Sequence, residues 1–512
     1  MSTRFEGNRP PSETLPEISR RISRILELDP TARAVEFNRV WHSWGAVAVT
    51  AASMEDHVGP AQRVGLLLRN RPPQLGLLIG LLRAGACVVA INPDRGSDRV
   101  RADIDGLSLP ALAGEPSDVE AFVGQDRDLT RMSATGLGSP VQVAGWPSRT
   151  DATRRPGVAV EMLTSGTTGP PKRVPLTYET FYRVLAGAKY YERDAREELQ
   201  LRSGVAIVNA PLVHLGGLFR VLQCLNDGRS FCLLERFQVD EWVDAVRRHR
   251  PSTVSLVPAA LRMVLDADLD PADLSSLRSV ISGTAPLSPE DADAFYQKYG
   301  APVLVSYAAT EFGGGVAGWN LTDHREFWAA KRGSVGRAHP GCQLRVIDPE
   351  TEAPVPAGQD GLLEVKAAQM GDDSDWTRTT DLARLDEDGF LWILGRADQA
   401  IIRGGFKVRP EDVRAALERD GRVRAAAVVG RDDPRLGAVP VAAVELRPAA
   451  SPVSPGDLLE TASKLLARYE LPAEIRIVDV LPRTPSGKVE LAAVRQLFAV
   501  AGPDGGGDGI EA

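Results

Sequence analysis

The pattern of apolar and polar positions predicts a helix and then a βαβ unit near the start of the chain. The helix is indicated by four apolar residues at helical spacing: Ile18, Ile22, Ile25 and Leu26. An apolar run at 63–70 is typical of a buried strand, and a helix at 75–83 and a second strand at 87–91 follow. Strand, helix and strand within about thirty residues indicate a parallel sheet.

The same alternation returns later in the chain and predicts its domains. Four further apolar runs, each followed by a helical stretch, lie at 205–210, 253–257, 279–281 and 303–306. Residues 1–397 are therefore predicted to form a large α/β body of several layers. Residues 398–500 are predicted to form a small α+β domain, in which Pro410 and Glu411 are favourable first-turn residues of a helix. The Gly-rich residues 501–512 are predicted to be disordered.

Composition narrows the classes of function. The 512 residues are 43% hydrophobic and 25% charged, as in a soluble globular protein, and the net charge of −8 argues against a nucleic-acid partner. The sequence shows no secretory signal, and it has no apolar segment that is long enough to span a membrane. The four cysteines have neither paired nor metal-ligand spacing, so neither disulfides nor a zinc site are expected. We expect a cytoplasmic protein.

The strongest local motif is MLTSGTTGPPKRVPLT at 162–177. It contains a run of Thr, Ser and Gly: Thr164, Ser165, Gly166, Thr167, Thr168 and Gly169. Such a run presents backbone N–H groups and hydroxyls to one point, which suits a phosphate, and Lys172 adds a positive charge. Flexible surface loops have the same composition, and the pattern of a Walker loop is absent.

Seven further motifs follow in order along the chain. They are NAPLVHLGGL (209–218), SGTAPL (282–287), SYAATEFGG (306–314), GSVGRAHPG (333–341), TTDLARLDEDGFLWILGRADQ (379–399), GGFKVRPEDV (404–413) and PRTPSGKVE (482–490). With the 164–173 motif they resemble the adenylate-forming superfamily of acyl-CoA synthetases, nonribosomal adenylation domains and luciferases. The resemblance implies an enzyme that uses ATP and Mg²⁺ to convert a carboxylic acid to an acyl-AMP, and then transfers the acyl group to the thiol of CoA.

The resemblance also implies roles for residues around the nucleotide. The loop from Thr164 to Lys172 would bind phosphate, and further nucleotide-binding residues would be Ser282, Gly283, Thr284, Tyr307, Asp381 and Arg396. Tyr307 would stack on the adenine, Asp381 would accept both ribose hydroxyls, and Arg396 would lie near the α-phosphate. Isolated residues of these types are also common in cores, turns and on surfaces.

Three residues are implied in catalysis, and four in the second step. Thr310 would bond phosphate, Glu311 would coordinate Mg²⁺, and Lys488 would offset the repulsion between carboxylate and α-phosphate. Only 8 of the 60 basic residues are lysines, which favours a specific need for an ammonium group at Lys488. Asp398 would be the hinge of a mobile lid domain, and CoA would pass beside Gly404, Gly405 and Phe406.

The acyl pocket is implied to include His214, Gly216, Gly217, Ala308, Gly313 and Gly314. Residues 209–223 contain no Asp or Glu to pair with a substrate ammonium, so the acid is predicted not to be an amino acid. Glycines at 216, 217, 313, 314, 315 and 318 predict a roomy apolar cavity for a bulky acid.

One residue departs from the family pattern, because Arg173 stands where the loop motif normally has glycine. In one alternative, the Arg173 side chain points to solvent or helps to bind the triphosphate. In the other, it blocks the site of the β- and γ-phosphates. A blocked enzyme would use a supplied acyl-adenylate and carry out thioester formation alone. Two different functions also fit the motifs: an enzyme that loads a separate carrier protein, and a non-catalytic nucleotide binder, against which the intact Lys488 argues.

Overall fold

A computed structural model describes residues 15–123, 129–145, 153–164, 172–188, 199–371, 374–447, 451–484 and 487–499. The chain divides into two compact units. The first unit comprises Met1–Arg345, Glu364–Thr377 and Asp388–Leu391, and the second comprises Val346–Leu363, Arg378–Glu387 and Trp392–Ala512. The predicted α/β class, with a large N-terminal body and a smaller C-terminal domain, is confirmed. The boundary after residue 397 stays a prediction.

The elements alternate between strands and helices over most of the chain. The helices are α1 (Glu17–Leu28), α2 (Trp44–Glu55), α3 (Pro72–Arg83), α4 (Ser97–Leu107), α5 (Pro116–Phe122), α6 (Tyr178–Ala188), α7 (Leu215–Asn226), α8 (Val239–His249), α9 (Pro258–Asp266), α10 (Pro289–Tyr299), α11 (Leu321–Phe327), α12 (Pro410–Glu418), α13 (Pro455–Ser463) and α14 (Leu491–Leu497). The strands up to the middle of the chain are β1 (Arg33–Phe37), β2 (Val40–Ser43), β3 (Arg63–Leu67), β4 (Cys87–Ile91), β5 (Ala111–Gly114), β6 (Thr130–Ser133), β7 (Gln142–Ala144), β8 (Val158–Thr164), β9 (Lys172–Thr177), β10 (Arg202–Val208), β11 (Arg229–Leu233) and β12 (Thr253–Ser255). The later strands are β13 (Ser279–Ser282), β14 (Val303–Ala309), β15 (Gly314–Gly318), β16 (Arg337–Ala338), β17 (Gln343–Ile347), β18 (Asp360–Lys366), β19 (Thr377–Leu385), β20 (Leu391–Arg396), β21 (Ile401–Arg403), β22 (Phe406–Val408), β23 (Val423–Asp433), β24 (Gly437–Leu446) and β25 (Glu474–Val478).

The first unit contains three sheets, and the predicted βαβ unit lies at the centre of the largest. That sheet has the strand order β7-β6-β5-β3-β4-β8-β9, and β3 pairs with β4 in parallel. Every residue of β3 and β4 is buried, as expected for parallel strands covered on both faces. The other two sheets have the orders β10-β11-β1-β2 and β12-β13-β14-β15-β16. Helix α1 forms where it was predicted, and its four apolar residues are buried.

The run at 303–306 was predicted to precede a helix, and that expectation is wrong. Strand β14 continues to Ala309, and a single 3₁₀ turn, Thr310–Phe312, follows. Gly313 ends the turn in the left-handed conformation, with a φ of 69°, and the chain returns as the antiparallel strand β15. Because glycine adopts positive φ without steric cost, Gly313 permits a reversal where a helix was expected.

The second unit contains a sheet of order β22-β21-β24-β23, and β25 pairs with β24. Helix α12 begins at Pro410, as predicted, with Glu411 and Asp412 in its first turn. Residues 343–396 contribute β17 to β20, which form one sheet in that order. Among the described helices, none combines the length and hydropathy needed to cross a bilayer.

Two histidines of the first unit, His324 and His339, are expected to make stability depend on pH. Burial lowers the pKa of His324, whose ring stacks on Trp328 with centroids 4.9 Å apart, and burial also lowers the pKa of His339. The unfolded chain protonates these imidazoles near pH 6.5, and the folded chain does so only at lower pH. The unfolded state therefore binds more protons below about pH 6.5, and the free energy of unfolding falls there by up to about 1.4 kcal/mol per pH unit for each histidine.

We expect the melting temperature to fall between pH 7.5 and pH 5.5, a range that lies above the ordinary carboxylate pKa values. The His324→Asn variant should show a smaller fall over the same range, whatever its melting temperature at pH 7.5. Thermal unfolding of both proteins at the two pH values measures this difference. An equal fall in both would contradict the assignment to His324.

Candidate active site

The loop after β13 lies against the next strand of the sheet. Ser282 ends β13 with no exposed surface, and its hydroxyl makes no hydrogen bond within the described part of the chain. A Cβ added to Gly283 would lie 2.9 Å from the carbonyl oxygen of Ser306, so a larger residue would push the loop away from β14. Thr284 has a φ of 73°, which is strained for a β-branched residue. Such strain is typical of functional loops held by their surroundings.

The β14–β15 hairpin brings together three of the implied site residues. Tyr307 lies in β14, with its ring centroid 6.4 Å from that of Phe312, and Thr310 and Glu311 form the 3₁₀ turn that follows. Glu311 is exposed, and no ion pair or hydrogen bond of its carboxylate is found among the described residues. A single available carboxylate next to a hydroxyl fits Mg²⁺, which binds through one or two carboxylates together with substrate phosphates.

The phosphate-binding motif is described only at its two ends. Thr164 ends β8 and Lys172 begins β9, and the two residues are paired across the antiparallel ladder. The Thr164 hydroxyl donates to the Lys172 carbonyl oxygen at 3.1 Å, and the Lys172 side chain is exposed. Ser165, Gly166, Thr167, Thr168 and Gly169 lie outside the described residues, so their roles stay predictions.

Arg173 does not point to solvent, because its side chain is an internal ion-pair partner. It is 13% exposed, and its guanidinium lies 2.6 Å from a carboxylate oxygen of Asp103 in α4 and 2.8 Å from the carbonyl oxygen of Ala90. Burial lowers the pKa of Arg173, and the charge of Asp103 opposes that effect. The guanidinium is thus directed to α4 and away from solvent, and its effect on the phosphates stays a prediction because residues 165–171 lie outside the described part of the chain.

His214 is positioned by a buried asparagine that sequence reasoning did not identify. His214 is the N-cap residue of α7, and the preceding segment is held by Asn70, which is 4% exposed. The Asn70 amide donates to the carbonyl oxygens of Ala210 and Leu234, at 3.0 Å each, and accepts from the Leu212 N–H at 2.7 Å. Asn70 therefore fixes the course of the chain into the helix that begins after His214.

The glycines that predicted a roomy cavity are mostly closely packed. A Cβ on Gly217 would overlap the Pro211 carbonyl, and one on Gly313 would overlap the Thr180 side chain. The ring of His339 occupies the space beside Gly315 and Gly318, with atoms 3.3 Å and 2.7 Å from the two Cβ positions, and Gly314 has ordinary contacts at 3.5 Å. Of the six, Gly216 alone has no atom within 4 Å of this position. The cavity argument therefore keeps its support only at Gly216, and the acyl-binding roles, including that of Ala308, stay predictions.

In the second unit, two of the implied residues form an ion pair with each other. The Arg396 guanidinium bonds both carboxylate oxygens of Asp398, at 2.9 and 2.7 Å. Asp381 lies in β19, and its N–H donates to the Thr379 hydroxyl at 3.0 Å. A bidentate pair between the implied nucleotide contact and the implied hinge means that movement at one residue affects the other.

The glycine pair of the implied CoA loop forms the turn of the β21–β22 hairpin. Gly404 and Gly405 have φ values of 56° and 88°, and Arg403 pairs with Phe406 across the turn. A two-residue turn with positive φ at both positions favours glycine for conformational reasons alone. Phe406 is 57% exposed and stacks on Tyr469, with ring centroids 4.7 Å apart.

Lys488 lies in a segment whose backbone is fixed at several points. The Thr484 N–H donates to the Lys488 carbonyl oxygen at 2.7 Å, and the Gly487 N–H donates to the Thr484 carbonyl oxygen at 2.8 Å. Arg483 and Val489 form an antiparallel bridge. The second unit therefore holds the Lys488 backbone in a defined conformation.

A buried carboxylate anchors this segment. Glu445 in β24 is 2% exposed, accepts from the Leu481 N–H at 3.0 Å, and pairs with Arg424 at 2.9 Å and with Arg483 at 3.4 Å. One carboxylate thus connects two arginines and a backbone N–H next to the lysine segment.

Sequence reasoning missed Asn70, Asp103 and Glu445. A signal existed for Asn70, because a polar residue directly after a buried parallel strand lies at the sheet edge where functional residues gather. Asp103 and Glu445 give no such signal, because their partners, Arg173 and Leu481, lie 70 and 36 residues away.

Family models and known proteins match most of the chain. A family model described as AMP-binding enzyme matches residues 29–372, and one described as AMP-binding enzyme C-terminal domain matches residues 412–488. An indoleacetate–CoA ligase from Aromatoleum aromaticum is 29% identical, over 94% of this chain and 98% of its own. A 2-succinylbenzoate–CoA ligase from Bacillus pumilus is 29% identical, over 84% and 86%. The structure of the amide bond synthetase McbA from Marinactinospora thermotolerans superposes with a TM-score of 0.75 at 26% identity, over 94% of this chain and 100% of that one.

Proposed function

This chain belongs to the family of AMP-binding enzymes, which confirms the resemblance found in its motifs, and we propose that it is an acyl-CoA ligase for a bulky carboxylic acid without an amino group. The observation that carries the proposal is the β14–β15 hairpin, which sets Tyr307, Thr310 and the exposed Glu311 on one short connection. An aromatic ring, a hydroxyl and an available carboxylate are the groups needed for an adenine, a phosphate and Mg²⁺.

The proposed reaction first activates the acyl group as an acyl-adenylate and then transfers it to CoA. The acid's carboxylate attacks the α-phosphorus of ATP, the bond to the β-phosphate oxygen breaks, and pyrophosphate leaves. The CoA thiol then loses its proton to solvent and attacks the acyl carbon, and AMP leaves with the electron pair of the broken C–O bond of the mixed anhydride. Mg²⁺ bound at Glu311 would neutralise phosphate charge during the first step.

The chain's own residues would mainly position the reactants and balance charge. Lys488 would supply a positive charge between the approaching carboxylate and the α-phosphate, where repulsion is greatest. Asp381 would hold the ribose by accepting its hydroxyl hydrogens. Holding two reactants in attack geometry and stabilising the developing charge are the main sources of rate in such transfers.

An aromatic acid is the proposed substrate class. Both CoA ligases compared above are named for acids that carry an aromatic ring. The segment from Asn209 to Gln223 contains no carboxylate that would pair with an amino acid's ammonium group. The position next to Gly216 has free space, which favours a large acyl group near His214.

The acceptor has a second candidate, because the solved structure of similar fold belongs to an amide bond synthetase. In that case an amine would attack the acyl-AMP in place of the CoA thiol. A separate carrier protein would be a third acceptor, also through a thiol. The ion pair of Arg173 with Asp103 weighs against the version limited to thioester formation, which stays a prediction.

Mass spectrometry of the products tests the proposal. The protein is incubated with ATP, Mg²⁺ and a panel of aromatic, aliphatic and amino acids, with CoA or with a simple amine as acceptor. We expect AMP, pyrophosphate and the CoA thioester of an aromatic acid. If only amino acids are adenylated, the proposed substrate class is refuted. If an amide forms and no thioester does, the acceptor is an amine and not CoA.

A further inference from the structure

Three side chains that suit a transition metal meet on one face of the β10-β11-β1-β2 sheet, and none of them belongs to the candidate active site. Glu36 in β1 and Cys232 in β11 are neighbours in the parallel ladder, so their side chains lie on the same face. His249, the last residue of α8, lies over this face with its Nε2 2.7 Å from a carboxylate oxygen of Glu36. One ligand atom of each residue lies within 4.8 Å of the other two.

The surroundings hold these groups in place. Glu36 has no exposed surface and Cys232 is 2% exposed. The buried cluster around Cys232 includes Trp242 and Val246 of α8. The His249 ring packs edge-to-face against Trp41, with centroids 5.8 Å apart. A metal ion would therefore find its ligands already ordered, which lowers the entropic cost of binding.

Arg248 competes for the same carboxylate, but it has another partner. Its guanidinium contacts Glu36 and lies 3.0 Å from His249 Nε2, and its Nε donates to Asp244 at 2.9 Å. The guanidinium can thus release Glu36 and remain paired with Asp244. A cation of higher charge at Glu36 would favour that exchange, because the carboxylate and a thiolate together balance two positive charges.

The cluster also has a route to solvent. A cavity of about 510 Å³ is lined in part by Trp41, Arg248 and His249. This cavity brings solvent to the His249 side of the cluster, and leaves room there for water or an anionic ligand in a fourth coordination position.

We propose that Glu36, Cys232 and His249 form a binding site for a divalent transition metal that favours sulfur and nitrogen ligands, with Zn²⁺ as the first choice. Carboxylate, thiolate and imidazole are the protein ligands of zinc, and a site with three protein ligands keeps one position open. Spacing along the sequence could not reveal this site, because Glu36 in β1 lies far before Cys232 and His249 in the chain.

Cobalt(II) titration of the metal-stripped full chain tests the site, because thiolate-bound Co²⁺ gives a charge-transfer absorption band. We expect the band to saturate at one Co²⁺ per chain and to disappear when Zn²⁺ is added. The Cys232→Ser variant should lose the band. Cys224→Ser, which removes another buried thiol, is the matched control and should keep it.

Two more variants keep the test informative if Cys232→Ser fails to fold. His249→Gln should weaken Co²⁺ binding at least tenfold, and Arg248→Gln, which removes the competing cation, should strengthen it by about tenfold. Zn²⁺ should raise the melting temperature of the wild-type protein and not that of His249→Gln. Absence of the band in the wild type, its persistence in Cys232→Ser, or unchanged affinity in His249→Gln would each overturn the proposal.

Discussion

Replacing Lys488 by methionine is expected to slow formation of the acyl-adenylate from ATP by about 10²–10³-fold, the range found when one stabilising group is removed from a charged transition state. Methionine keeps an unbranched apolar chain and removes the ammonium group. The carboxylate then approaches the α-phosphate without a balancing charge. Transfer to CoA from a supplied acyl-adenylate needs no such balance, so its rate should remain close to that of the wild type.

The two half-reactions are measured separately, as pyrophosphate release from ATP and as thioester formed from synthetic acyl-AMP and CoA. Lys464→Met is the matched control, because Lys464 also lies in the second unit and, among the described residues, pairs only with the exposed Glu460, at 3.4 Å. The control should leave both rates unchanged. Equal losses in both half-reactions of Lys488→Met would show a structural effect and contradict the proposed role.

Parts of the fold could be predicted because they depend on local patterns. Helix α1 follows from four apolar residues at helical spacing, and β3, α3 and β4 follow from apolar runs of characteristic length. The turn after Ala309 was missed, because the φ of a single glycine, Gly313, decides it. The sequence alone does not determine which φ a given glycine adopts, because glycine accepts both positive and negative values.

The candidate site also combines features that local motifs predicted with features that only the packing of distant segments determines. The motifs predicted the site residues, and three of them, Tyr307, Thr310 and Glu311, lie on one hairpin, while their roles stay predictions. The reason for the glycine pair at 404–405 was incomplete, because the positive φ values of a two-residue turn already favour glycine. Interactions between distant segments were not predictable, since each depends on packing that no local pattern encodes.

Arg173 is the clearest case, and replacing it separates its structural role from the blocking role that the sequence left open. Arg173→Gly removes a guanidinium that bonds Asp103 and the Ala90 carbonyl, and it leaves the largely buried Asp103 carboxylate without this partner. Breaking such a pair costs about 2–4 kcal/mol. We expect the melting temperature to fall by about 3–5 °C, with no gain in pyrophosphate release.

Variants of Asp103 test whether its ion pair with Arg173 accounts for the lower melting temperature. Asp103→Ala should lower the melting temperature by a similar amount, because it leaves the buried guanidinium of Arg173 without its carboxylate. The exchange Arg173→Asp with Asp103→Arg should recover part of the loss, whereas each single reversal places like charges together. Thermal unfolding and pyrophosphate release are measured on the same preparations. A large rise in pyrophosphate release by Arg173→Gly at unchanged melting temperature would show that the arginine obstructs the phosphates, and would support the thioester-only reaction.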